Sequence, residues 1–122
     1  MQWAATQNNL GTALQDQGTR TDGPKGAALL AEAVEAYRAA LEVRTRADHP
    51  VNWAMTQENI AIALRDRAKR ADAQRPRDDL IAALAAVDGA LEVFDPAHLS
   101  FNHNKATKLR ADIQATLDGL RE

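Results

Sequence analysis

Few side chains in this sequence are spaced to do chemistry. The histidines are His49, His98 and His103. A helical zinc pair needs ligands at i and i+4, whereas His98 and His103 are five apart. No carboxylate accompanies any of the three at helical ligand spacing. Gly23-Pro24-Lys25-Gly26 has the residue types of a phosphate loop but not the Gly-x-x-x-x-Gly-Lys-Ser/Thr spacing, and no strand precedes it. It is expected to be a flexible turn between helices. Arg65, Arg67, Lys69, Arg70, Arg75 and Arg77 form a basic run that Asp66, Asp72, Asp78 and Asp79 interrupt. That mixture fits solvated helix ends, where cations complement the dipole, better than an anion site. Asn9 and Asn59 remain. One amide offers both a donor and an acceptor, which is what a peptide unit asks of a receptor. With no catalytic constellation in view, the chain is not expected to be an enzyme, and no metal or cofactor is expected.

The totals narrow the partners. Fifteen basic residues face 17 acidic ones, a net charge of −2, so no long-range field gathers nucleic acid or an anionic membrane. There is no cysteine, which fits a reducing cytoplasm. No apolar run approaches the roughly 20 residues of a membrane span. Met1-Gln2-Trp3-Ala4-Ala5 lacks the basic start of a signal peptide, and a cytoplasmic location is the expectation. A length of 122 residues suits one compact domain. Aromatics are only 4 %, so its core must come from Ala, Leu, Ile and Val.

The elements that position these residues come in two copies. Trp3-Ala4-Ala5-Thr6-Gln7-Asn8-Asn9-Leu10 returns fifty residues later as Trp53-Ala54-Met55-Thr56-Gln57-Glu58-Asn59-Ile60. The same offset carries Ala13-Leu14 onto Ala63-Leu64, and Ala40-Leu41-Glu42-Val43 onto Ala90-Leu91-Glu92-Val93. Each copy reads as two helices. Trp53, Thr56, Ile60 and Leu64 share a face at steps of three and four, as do Leu30, Val34, Tyr37 and Leu41, and Leu80, Leu84, Val87 and Leu91. Leu41 and Leu91 are expected to be buried at equivalent contacts. Asn52 stands at one expected N-cap, and Asp78 or Asp79 at another. A fifth helix follows Asp95-Pro96, with Ala106, Leu109, Ile113 and Leu117 on its buried stripe. Lys105, Lys108, Arg110, Asp112 and Gln114 lie on its wet side, and Gly119 is its stop. Helices are expected over about 2–18, 28–46, 53–71, 78–94 and 101–118.

These residues resemble the tetratricopeptide repeat (TPR) family. Leu10-Gly11 and Leu14 match its first helix; Ala33, Tyr37 and Ala40 match its second at the family spacing. The second copy keeps Ile60-Ala61, Leu64, Ala83 and Ala90, with Val87 in place of the aromatic. The period of fifty exceeds the usual length of about 34, as in the kinesin-light-chain style of repeat. Trp3 and Trp53 stand one turn before the family's tryptophan, and the proline just after the second helix is missing. The resemblance implies an all-α fold: an α-solenoid of two antiparallel helix pairs plus a C-terminal capping helix. It would be a single domain over 1–122, with repeat one at about 2–50, repeat two at about 52–97 and the cap at about 101–120.

The resemblance also implies a function, a protein- or peptide-binding module that acts as a scaffold. First helices line the groove of such stacks, where an asparagine at the place of Asn9 and Asn59 clamps an extended peptide backbone. The groove then includes Ala5, Asn8, Thr12, Gln15 and Asp16 from the first copy. From the second it includes Met55, Glu58, Ile62, Arg65 and Asp66. The lysines of the family's carboxylate clamp are missing from these positions, so no receptor for chaperone tails is expected. The alternative is a structural or regulatory segment of a multidomain signalling protein that self-associates. Only Met1-Gln2 precedes Trp3, as though the chain were the C-terminal part of a longer stack. Trp3, Leu10 and Leu14 would then keep apolar surface in water and favour a homo-oligomer through the N-terminal face.

Overall fold

The computed structural model describes residues 2–120, with side-chain surroundings from Trp3 onward. Met1, part of the expected lead-in, lies outside the described residues. Five helices follow one another: α1 (Gln2–Thr19), α2 (Gly23–Val43), α3 (Pro50–Ala68), α4 (Pro76–Val93) and α5 (Ser100–Gly119). No strand occurs among the described residues. α1 packs most extensively on α2, and α3 on α4; α2 then joins α3, and α4 joins α5.

Prolines set the helix starts. Pro24, Pro50 and Pro76 each stand in the first two positions of their helix, where a missing N–H costs nothing and φ is already helical. The expected caps are therefore corrected. Asn52 is the third residue of α3 rather than its cap, and Asp78 and Asp79 lie inside the first turn of α4. Gly23-Pro24-Lys25-Gly26 is likewise no free turn but the first turn of α2, entered by Gly23 at φ +76°.

Arg70 locks that entry. Its guanidinium donates to the carbonyls of Gly18, Thr21 and Gly23 at 3.2, 3.0 and 2.9 Å, so a cation of the second copy ties the end of α1 to the start of α2. Gly26 fits beneath it only without a side chain, because a Cβ there would lie 1.9 Å from the Thr21 oxygen. The fifty-residue register extends past the similar residues into the turns. Arg44 N–H donates to Ala40 and Phe94 N–H to Ala90, both at 2.9 Å. Trp53 N–H donates to His49 and His103 N–H to Leu99, both at 2.8 Å. α5 thus leaves α4 through the same turn by which α3 leaves α2.

The core is built from alanine and few large side chains. Ala33, Ala36, Ala40, Ala83, Ala86 and Ala90 are buried where helices cross, because small residues let backbones approach. Leu30, Tyr37, Leu80, Val87, Phe94 and Ile113 fill the space between. Leu41 and Leu91 are only half-buried and flank the core, contrary to expectation; the alanines before them take the crossing. Ala106, Leu109, Ile113 and Leu117 are buried as the spacing requires. Leu80, at 0 % exposure, is therefore a leucine whose loss matters more. In denaturant melts Leu80→Ala should cost about 2–5 kcal/mol, and Leu91→Ala less than half of that.

Candidate functional site

α1, α3 and α5 hold equivalent places in the fifty-residue register, and the expected groove residues fall on α1 and α3. Glu58, Ile62 and Arg65 line one cleft of about 260 Å³ between α3 and α5. Lys105, Lys108, Leu109 and Asp112 of α5 form its other wall. The expected positions on α1 and α3 carry no lysine; the two lysines of this cleft come from α5. Ile62 and Leu109 give the cleft an apolar floor, while its rim is charged.

The charges are unevenly spent. Arg65 donates to Asp66 at 3.2 Å and to Asp112 at 3.1 Å, and Lys69 also reaches Asp112 at 3.1 Å. The Lys69 hydrogen bond, with both cations nearby, holds the Asp112 carboxyl below the usual range. Lys108 has no ion-pair partner among the described residues. Glu58 is the outlier. It is 5 % exposed, its Oε1 lies 3.7 Å from Lys105 Nζ, and its buried Oε2 has no hydrogen-bond partner. Burial pushes its pKa above the ordinary 4.5, against the opposing pull of Lys105. The folded chain therefore holds this proton more tightly than the unfolded chain, and Glu58 makes the fold less stable as pH rises through that raised value.

The junction of α1 and α3 is closed differently. Asn8 Oδ1 accepts a hydrogen bond from the Thr56 hydroxyl at 3.2 Å. The Tyr37 phenol, on α2, donates to Gln15 Oε1 at 2.8 Å and lies 3.2 Å from the Thr12 hydroxyl. Asn8, Thr12 and Gln15 thus already serve the protein's own packing. Burial raises the Tyr37 pKa above the ordinary 10.0, so the phenol keeps its proton. Asn9 is exposed and Asn59 half-buried; neither amide is hydrogen-bonded within the protein, among the described residues. Met55 is 47 % exposed, Ala5 is half-buried and Asp16 faces solvent in an exposed pair with Arg20.

Other candidates resolve into internal contacts. Arg67 grips Asp79 with two hydrogen bonds of 3.0 and 2.6 Å, which raise the arginine pKa further. A cavity of about 560 Å³ opens beside that pair between the start of α2 and the α3–α4 turn. Of the basic run, Arg65, Arg67, Lys69 and Arg70 are paired with carboxylates, while Arg75 and Arg77 have no ion-pair partner among the described residues. His98 Nδ1 lies 2.6 Å from Asp95, a pairing that the sequence spacing did not suggest. That contact, with the Ala97 amide, lowers the Asp95 pKa. His103 Nδ1 lies 3.2 Å from the Phe94 carbonyl. No protein-family model, curated protein or solved structure matches this chain. No helix is long and apolar enough to cross a membrane among the described residues.

Proposed function

We propose that this chain is a tetratricopeptide-like α-solenoid module whose first-helix face binds an extended segment of another polypeptide. The supporting observation is the pair of unspent amides at Asn9 and Asn59, one register apart on equivalent helices. Asparagines that merely served packing would be bonded within it, as Asn8 is. The face around them mixes apolar ground at Met55 and Ile62 with charges of both signs, which suits a segment of mixed composition better than a polyanion.

The experiment is a double substitution, Asn9→Ala with Asn59→Ala, assayed against a peptide selected from a random library. Each lost hydrogen bond should weaken binding by about 0.5–1.5 kcal/mol, with the melting temperature preserved. Unchanged affinity in a folded double variant contradicts the reading.

A second reading, self-association, is favoured by one comparison. Leu10 is 45 % exposed whereas its equivalent Ile60 is 3 % exposed; Leu14 is half-buried whereas Leu64 is buried. α2 lies against α3 and covers the second pair, while the first pair lines an open surface with Glu32 and Glu35. Sedimentation over a concentration series should show reversible association that Leu10→Glu abolishes. A strict monomer up to roughly millimolar, the weak end of the affinity scale, counts against this reading.

A further inference from the structure

We propose that the cleft between α3 and α5 is a subsite for a neutral aromatic hydrogen-bond donor, the phenol of a partner's tyrosine side chain. This rests on the polypeptide-binding reading above and names one anchor within it.

Asn8 of α1 corresponds to Glu58 of α3, and Thr56 of α3 corresponds to Ala106 of α5. At the first junction the Thr56 hydroxyl satisfies the Asn8 oxygen. At the second junction alanine has replaced the hydroxyl, and Glu58 is left with a buried oxygen that nothing bonds. An orphaned buried acceptor costs free energy that any arriving donor recovers.

The cleft decides which donor fits. Arg65, Lys105 and Lys108 on its rim repel a second cation. Glu58 and Asp112 stand against a carboxylate. Ile62 and Leu109 beneath call for an apolar body. A phenol meets all three conditions: its hydroxyl donates to Glu58, its ring covers the two aliphatic side chains, and the rim cations sit over its face. The chain already pairs cation with ring at Arg46, 5.5 Å from the Trp53 centroid. Lys105 lies over the Glu58 carboxylate but is 56 % exposed, so its stem can swing aside. The soft terminal torsion of Glu58 then presents either oxygen.

The test is an amide NMR titration of the whole chain with N-acetyl-tyrosinamide and, separately, N-acetyl-phenylalaninamide. The tyrosine compound should shift residues of α3 and α5 around Glu58, Ile62, Lys105 and Leu109. The phenylalanine compound should bind about tenfold more weakly, the loss expected for one hydrogen bond to a charged acceptor. Ala106→Ser, which returns a hydroxyl to the chain itself, should remove that preference. Glu58→Leu, which deletes the acceptor and relieves a buried charge, should remove it too and keeps the test open if the serine variant misfolds. Equal affinity for the two compounds, a persistent preference in a folded variant, or tighter binding of N-acetyl-lysinamide or acetate overturns the proposal. Failure of the wider reading would show differently, as library-selected peptides that contact α2 and α4 instead.

Discussion

Gly11→Ala should destabilise this protein, although alanine is the better helix former by about 1 kcal/mol. A Cβ at position 11 would lie 2.6 Å from the ring of Tyr37, which is 1 % exposed and held by two hydrogen bonds at its hydroxyl. A ring so placed cannot swing away, and overpacking of this kind costs about 1–3 kcal/mol. In the second copy the same two positions are Ala61 and Val87, both fully buried. The second copy thus has a larger residue at the first position and a smaller one at the second. Tyr37→Val alone should leave a cavity and cost about 2–4 kcal/mol. Gly11→Ala with Tyr37→Val together rebuild the second copy's pair, so the double variant should lose clearly less than the sum. A coupling of about 1–3 kcal/mol in denaturant melts is the expected result. Strict additivity would mean that the two crossings are not built alike.

Breaking the Arg67–Asp79 pair should cost about 3 kcal/mol. That is the low end of the range for a buried ion pair, because Arg67 stays 30 % exposed while Asp79 is 11 % exposed. The cost arises from the carboxylate left unpaired, not from any large net gain of the pair itself. The first copy offers the control. Positions 17 and 29 there are Gln17 and Leu29, the equivalents of Arg67 and Asp79. Arg67→Gln should therefore be strongly destabilising alone and largely rescued by Asp79→Leu, as measured by chemical denaturation. Without rescue, Asp79 must have another partner that the pair conceals.

The helices were legible because alanine-rich crossings and spaced aliphatics leave a period of three to four, and the duplication doubled the signal. Their starts were not. Asn52, Asp78 and Asp79 looked like caps, but proline initiates these helices, and a proline before a capping residue moves the start upstream. The second miss was energetic. Leu41 and Leu91 have the right spacing, yet spacing cannot tell the centre of a helix crossing from its flank. The third concerned the site. Lys105 and Lys108 were read as the wet side of a cap, although the turn at Phe94–Leu99 repeats the one at Arg44–His49 and so makes α5 a wall of the cleft. The comparison of Asn8 with Glu58 was available in the sequence. Its meaning was not, because only the structure pairs Asn8 with Thr56 and so exposes what Ala106 fails to supply.

The central claim is that the first-helix face receives a polypeptide. Chemical-shift mapping of a library-selected peptide on the isotope-labelled chain tests it most directly. The perturbed amides should run along one surface from Asn8 and Asn9 through Asn59 and Ile62 to Lys105 and Lys108. Perturbations confined to the outer faces of α2 and α4, around Arg38 and Ala85, would contradict it.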